Sequence, residues 1–191
     1  MQSIIYYLLN KIFMNEVEEE ILKYSSKGDK IVFDIGCFRG GFTKNFIKNE
    51  KKLGMESTFF LFDPNPITKD YLKSILQNEK IKYFNLALDN SNSQKKFYLN
   101  NFFEPSGSSL NTTFRDDKKW KNTRKIFMQI LQPFKKIEDF SEINVQTQTL
   151  DNFCLEEKIN NIDVLKIDTE GNELNVLKGA KKLLEQNKIN I

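Results

Sequence analysis

Histidine is absent from this sequence of 191 residues. The absence removes the side chain that most often acts as a general base near neutral pH and that most often binds transition metals. Acid–base chemistry must therefore come from carboxylates, lysine, tyrosine or hydroxyl groups. The two cysteines, Cys37 and Cys154, stand far apart and give neither a disulfide framework nor the ligand spacing of a zinc site. The sequence predicts no metal site.

Strong charge of one sign and long apolar runs are also missing. The chain has 29 basic and 26 acidic residues, a net charge of +3 that does not indicate nucleic-acid binding. The apolar run from Ile4 to Leu9 is far shorter than the roughly 20 residues needed to span a bilayer. It also lacks the flanks of a secretory signal. We expect residues 1–29 to form an amphipathic helical cap, with a membrane-surface anchor as the alternative, in a cytoplasmic protein.

Glycine is scarce, yet three of the 8 glycines, Gly36, Gly40 and Gly41, lie within six positions just after the mostly apolar residues 30–35. We call residues 36–41 the glycine turn. A strand, a glycine turn and a helix in this order let a ligand approach the backbone and the free N–H groups of the helix. The dinucleotide fingerprint G-x-G-x-x-G does not fit, because Phe38 stands where its second glycine belongs. This argues against NAD or FAD.

Apolar runs alternate with helical periodicity along the rest of the chain. The alternation predicts an α/β protein with a doubly wound, mostly parallel sheet over residues 30–191. Basic residues cluster around Trp120. Two interpretations of this cluster stay open, a solvated helix face and a lid over an anionic acceptor. The predicted strands are 30–35, 58–63, 81–88, 94–100, the first part of 143–153, which runs into a turn, and the start of 162–186. The predicted helices are 41–52, 64–78 and the remainder of 162–186, after an acidic turn at 168–171.

Two acidic residues stand at the ends of the first two predicted strands. Asp34 lies just before the glycine turn, where a carboxylate can hold a cationic or amino-acid-like group. Asp63 follows the turn at about the 20-residue spacing of an acid that binds ribose hydroxyls. Together they indicate a ligand that has ribose and needs no phosphate cradle in the protein. S-adenosylmethionine matches this description. Taken alone, the glycine turn is also consistent with a plain turn, and an acid at a strand end is also consistent with a helix cap.

Six segments, in order, resemble the FkbM family of S-adenosylmethionine-dependent methyltransferases. The resemblance extends from Lys30 to the end of the chain and implies the Rossmann-like class I methyltransferase fold. The segments are "VFDIGCFRGGFT", "LFDPNP", "NLALDNSNSQKKFYLN", "SGSSL", "TQTLDNF" and "VLKIDTEGNELNVLKGA".

The resemblance implies a role for individual residues. The family mostly methylates oxygen on sugars and other small molecules. With no histidine, Asp168 or Glu170 is the expected general base, and a divalent metal between them is the alternative. The implied cofactor residues are Asp34, Gly36, Gly40 and Thr43 on the methionine side, Asp63 with Pro64 and Asn65 at the ribose, and Ala87 near adenine; Asp168 and Glu170 face the methyl group and the acceptor.

The sequence also departs from the family pattern. Cys37 and Phe38 replace the usual Ala and Asn, and Asp63 replaces the commoner Glu. The family fold has seven strands and this sequence stops within the fifth, so we expect an exposed strand edge and self-association. An inactive, cofactor-binding remnant that acts as an interaction protein is the alternative function. A nucleic-acid methyltransferase is disfavoured, because "DTEG" stands where an Asn/Asp-Pro-Pro-Tyr motif is expected.

Overall fold

The computed structural model describes residues 28–100, 108–110 and 140–190. The predicted cap at 1–29 lies outside this part apart from its last two residues, and the basic cluster around Trp120 lies wholly outside it. The predicted domain boundary therefore stays a prediction. None of the helices in the described ranges has the length and apolarity needed to cross a membrane.

Strands and helices alternate along the described residues, as the sequence predicted for an α/β protein. In chain order the elements are β1 (Ile31–Ile35), α1 (Gly41–Lys52), β2 (Thr58–Phe62), α2 (Thr68–Leu72), β3 (Ile81–Phe84), β4 (Ala87–Leu88), β5 (Ser93–Asn100), β6 (Phe140–Gln148), α3 (Leu150–Glu156), β7 (Val164–Ile167), α4 (Glu173–Gly179) and α5 (Lys181–Glu185).

The main sheet has four parallel strands in the order β3-β2-β1-β7. Because successive side chains of a strand point to opposite faces, its mostly apolar strands supply two separate cores. Phe33 and Phe60 belong to the core that α3, α4 and α5 cover. Val32 and Leu61 belong to the core that α1 and α2 cover. Helices on both faces confirm the doubly wound architecture.

Phe153 of α3 organises the first of these cores. Its ring stands edge-on to those of Phe62 and Phe84, with centroids 4.7 and 4.8 Å apart. It meets Phe33 and Phe60 in the same edge-on manner. Edge-to-face pairs stabilise the core beyond the burial of apolar surface, since the positive edge of one ring meets the negative face of another. This contact fixes α3 against the centre of the main sheet.

A small sheet of three strands lies beside the main one, in the order β4-β6-β5. β5 and β6 pair antiparallel from Ser93 opposite Thr147 to Asn100 opposite Phe140, and β4 runs parallel to β6. The predicted extra strand at 94–100 is therefore confirmed. Its partner is the strand that the alternating pattern after residue 143 predicted.

The predicted third strand, 81–88, is wrong in its second half. β3 ends at Phe84, and the chain leaves the main sheet there. The Asn85 side-chain amide donates to the Asp63 carbonyl oxygen at 3.0 Å, and this bond turns the chain. Ala87 and Leu88 then pair with β6 instead, so Ala87 belongs to the small sheet.

Three helix boundaries also differ from the prediction. The strand predicted from residue 143 ends at Gln148, and the predicted turn after it is the start of α3, where the Thr149 hydroxyl accepts the Asn152 N–H. The helix predicted from residue 64 is shortened to α2, since Asn65 instead forms a turn that receives the Thr68 N–H. The last predicted helix is divided at Ala180 into α4 and α5.

β7 is the outer strand of the main sheet among the described residues. Beyond it, Ile189 forms a parallel bridge with Ile162, through bonds from the Ile162 N–H to Lys188 and from the Asn190 N–H back to Ile162. The chain therefore starts a further strand beside β7. Self-association through this edge stays a prediction.

The close approach of α4 to the end of β4 gives a first testable prediction. A Cβ atom on Gly179 would lie 2.1 Å from the Asp89 carbonyl oxygen. We expect Gly179→Ala to lower the free energy of unfolding by about 2–3 kcal/mol, because two backbones must separate. Chemical denaturation measures the change.

Gly41→Ala is the matched control. Gly41 opens α1, and no atom lies within 4 Å of its Cβ position. This variant should be neutral or gain about 0.5–1 kcal/mol, because alanine restricts the unfolded chain. Equal stability of the two variants would contradict the packing role of Gly179.

Candidate functional site

A cleft of about 200 Å³ opens at the carboxyl ends of β1, β2 and β7. We call it the strand-end cleft. It is the place where open, parallel α/β sheets bind ligands. The small sheet closes one side of it through Leu88 and Phe97. The predicted site residues that border the cleft are Gly36, Asp63, Pro64, Asn65, Ala87, Asp168 and Glu170.

Three predicted cofactor residues are not among those that line the cleft. Asp34 and Thr43 are fully buried, and the Thr43 hydroxyl donates to Asp34 Oδ2 at 2.7 Å. Gly40 caps α1 with a left-handed backbone, φ +71°. These residues support the glycine turn from behind. Their predicted contact with the cofactor stays a prediction.

Gly36 stands where the glycine turn meets the acidic turn. Its φ is +76°, and a Cβ atom there would lie 1.9 Å from the Asp168 carbonyl oxygen. Its N–H donates to the Phe62 carbonyl at 2.8 Å, which ties β1 to β2 at the same point. Only glycine fits this position, since any side chain would push the two turns apart.

Asp63 is held by the backbone on both sides. Its Oδ2 accepts the Phe38 N–H at 2.9 Å and its Oδ1 accepts the Asn65 N–H at 2.8 Å. Burial raises the pKa of the Asp63 carboxyl, and these two N–H bonds oppose the rise. Each carboxylate oxygen can accept a second hydrogen bond. The group is thus rigid and keeps acceptor capacity for ligand hydroxyls.

Phe38 is a site residue that the sequence identified only as a departure from the family. Its ring borders the cleft, and its φ of +41° is rare for a residue with a side chain. The ring stands edge-on to Tyr71, with centroids 5.5 Å apart. The Arg39 guanidinium lies 5.3 Å from the Phe38 centroid and 4.8 Å from that of Tyr71. These contacts hold the ring at the edge of the cleft.

The acids after β7 divide into two groups. Asp168 and Glu170 border the cleft, and 67% of the Asp168 side chain is exposed. Glu173 instead accepts the N–H groups of Thr169 and Gly171 at 2.9 and 3.0 Å. The Glu173 carboxylate therefore stabilises the acidic turn itself.

Two further polar residues near the cleft were missed from the sequence. Asn172 borders the cleft and donates to Asp89 Oδ1 at 3.3 Å; Lys95 of the small sheet pairs with the same carboxylate. Lys166 of β7 donates to the Gly36 carbonyl oxygen at 3.0 Å. Their roles depend on partners remote in sequence, so no local pattern could have shown them.

No cluster of three or more cysteine, aspartate or glutamate side chains in the described ranges is placed to hold a metal ion. The metal-assisted alternative for Asp168 and Glu170 stays a hypothesis.

Three comparisons relate this geometry to known proteins. The sequence model of the FkbM methyltransferase domain matches residues 34–191. The 2-O-methyltransferase NoeI of Sinorhizobium fredii is 24% identical over 176 residues, which are 88% of this chain and 65% of that protein. The crystal structure of methyltransferase FkbM from Methylobacillus flagellatus KT aligns with a TM-score of 0.53 at 13% identity, over 87% of this chain and 33% of that one.

These matches confirm the predicted fold. The structural match, at 13% identity, supports the fold alone. The chain spans about two thirds of the curated relative and a third of the solved chain.

The acidic turn gives a second testable prediction. Although burial alone would raise the pKa of Glu173, the N–H groups of Gly171 and Thr169 hold it below 4.5, its usual value. The Glu173 carboxylate therefore stabilises the folded state fully above its unfolded-state pKa. This stabilisation is lost as the pH falls through the lower, folded-state pKa. We expect Glu173→Gln to lower the free energy of unfolding by about 1–2 kcal/mol at pH 7.

Chemical denaturation at several pH values measures this effect. The difference between wild type and Glu173→Gln should shrink as the pH falls below the usual glutamate pKa. Glu185→Gln is the control, because Glu185 is exposed on α5 and forms only a surface ion pair. A difference that does not change with pH would contradict the proposed hydrogen-bonding role.

Proposed function

Because the chain belongs to the FkbM methyltransferase family, we propose that it transfers a methyl group from S-adenosylmethionine to a hydroxyl oxygen of a saccharide or another small molecule. The observation that supports this most is the strand-end cleft, which is bordered by the glycine turn, the Asp63 carboxylate and the acidic turn together. The name of the NoeI relative, a 2-O-methyltransferase, supports oxygen as the accepting atom.

The residues of the cleft fit the parts of S-adenosylmethionine. Asp63 has acceptor capacity on both oxygens and suits the two ribose hydroxyls. Phe62, Leu86 and Leu88 offer an apolar wall for the adenine ring. Gly36 borders the cleft beside the acidic turn and suits the amino-acid portion, which can contact its backbone there.

The residues of the acidic turn then act on the acceptor. S-adenosylmethionine, when bound, supplies an electrophilic methyl group on a sulfonium centre. We assign Asp168 to take the proton of the acceptor hydroxyl, because its carboxylate borders the cleft and is largely exposed. Alignment by the rigid turns is worth up to roughly 7–11 kcal/mol, and general base catalysis about 10²–10⁴-fold.

One observation favours the second candidate, a cofactor-binding protein without turnover. The Phe38 ring borders the cleft at a position where the family usually has asparagine. A phenylalanine ring takes up more space at this edge of the cleft than an asparagine side chain would. Both candidates bind the cofactor and differ only in methyl transfer.

Asp63 gives the test of cofactor binding. We expect Asp63→Asn to weaken S-adenosylhomocysteine binding by about tenfold to hundredfold, because a ligand hydroxyl loses a charged acceptor. Titration calorimetry measures the dissociation constant, and circular dichroism checks the fold. The control is Asp70→Asn, since Asp70 is 68% exposed on α2 and does not border the cleft. Equal affinities in both variants would refute the assignment of Asp63.

Asp168 separates the two candidate functions. For an active methyltransferase, Asp168→Asn should lower methyl transfer to saccharide acceptors by about 10²–10⁴-fold. The affinity for S-adenosylhomocysteine should stay unchanged, because the carboxylate acts on the acceptor. Radiolabelled methyl transfer to a panel of saccharides measures turnover. Cofactor binding by the wild type without turnover on any of them would favour the second candidate.

A further inference from the structure

Lys166 stands between the glycine turn and the acidic turn, and neither the family resemblance nor the proposed function gives it a role. It lies in β7, in register with Asp34 of β1. Residues in register on neighbouring parallel strands have side chains on the same face of the sheet. Only 18% of the Lys166 side chain is exposed. A lysine this buried needs partners, since an unpaired buried charge is strongly unfavourable.

The ammonium group of Lys166 contacts three different segments. Its Nζ lies 3.0 Å from Asp34 Oδ1 in β1 and donates to the Gly36 carbonyl oxygen at 3.0 Å. It also lies 3.6 Å from Asp168 Oδ2. Gly36 and Asp168 both border the strand-end cleft. One side chain therefore ties together both turns that form this part of the cleft.

The charge of Lys166 offsets one of the two carboxylates beside it. Asp34 is fully buried, and Lys166 is the cation that lies against it. Burial alone would lower the pKa of Lys166, but the carboxylates of Asp34 and Asp168 outweigh it and raise that pKa. Lys166 thus stays an ammonium at neutral pH. With the ammonium the three groups carry one net negative charge, and without it they would carry two.

This balance matters for methyl transfer, because the reaction removes the positive charge of the sulfonium. Two uncompensated carboxylates, one in the cleft wall and one buried behind it, would stabilise the cationic reactant more than the transition state, where that charge is already decreasing. Binding energy that is stronger in the ground state slows the chemical step.

We propose that Lys166 is a positioning residue that holds the glycine turn against the acidic turn and balances Asp34, so that the cleft does not bind the cationic methyl donor far more tightly than its neutral product. This inference rests on the proposed function.

The test compares the affinities for S-adenosylmethionine and S-adenosylhomocysteine by titration calorimetry. Lys166→Met removes the ammonium but keeps most of the side-chain volume. It should raise the preference for S-adenosylmethionine on the order of tenfold, as expected for one charge within roughly 8 Å at an intermediate dielectric constant. Lys166→Arg keeps the positive charge, because arginine is always protonated in proteins. The ratio of its two affinities should therefore stay within about twofold of the wild-type ratio.

The matched control removes the buried pair as a unit. Asp34→Asn combined with Lys166→Met eliminates both charges and should restore the wild-type ratio of the two affinities. General damage to the cleft would not be repaired in this way. Lys166→Gln keeps an N–H donor for the Gly36 carbonyl and serves the same comparison if the methionine variant does not fold.

A second measurement tests the positioning role without any ligand. The N–H groups of Gly36 and Asp168 bond to Phe62 and Ile35 at the bases of the two turns. Their hydrogen exchange should become faster in Lys166→Met and stay unchanged in Lys166→Arg.

The outcomes separate this inference from the proposed function. Wild-type protein that binds neither ligand would contradict the proposed function and this inference with it. Intact binding with an unchanged affinity ratio in Lys166→Met would overturn this inference alone. The same altered ratio in the single and the double variant would also overturn it.

Discussion

The contact between Gly36 and the Asp168 carbonyl is the constraint on which the site depends. Here β1 and β7 end, and their two turns approach so closely that no side chain fits between them. The Gly36 N–H donates a hydrogen bond to the Phe62 carbonyl oxygen of β2, and the Asp168 N–H donates one to the Ile35 carbonyl oxygen of β1. Three strands therefore end in one rigid framework. The cleft exists because the chain turns away from the sheet in different directions at this point, as happens where helices cover both faces of an open sheet.

The acidic residues around this contact have different roles, which depend on how deeply each is buried. Asp34 is enclosed and bound to Thr43 and Lys166, so its charge organises the turn from within. Asp63 is held by backbone N–H groups but keeps capacity for ligand hydroxyls. Asp168 is largely exposed. Residues that support the site are thus distinct from residues that can touch a ligand, and a sequence motif that contains both cannot tell them apart.

Much of the main sheet could be predicted, because its signals are local. The apolar runs of β1 and β2 and the glycines after β1 each act within a few residues. The third strand was predicted too long, since the apolar residues before and after Asn85 resemble a single strand in sequence. The bond from Asn85 to Asp63 that ends β3 is long-range. Lys166 was overlooked for the same reason: within "VLKID" it is one polar residue in an apolar strand, and its three partners are known only once β1 and β7 are neighbours. The small sheet depends on pairing between β5 and β6, which are separated by a long segment.

The central claim is that the strand-end cleft binds S-adenosylmethionine and its product. The most direct test is a nuclear magnetic resonance titration of ¹⁵N-labelled protein with S-adenosylhomocysteine. The account predicts that the amide signals of Phe38, Asn65 and Thr169 shift, because they belong to the three segments around the cleft. Signals from the groove between α3 and α5, such as those of Asn160 and Gln186, should not change. Shifts confined to that groove, or none at a concentration that saturates ordinary cofactor sites, would contradict the account.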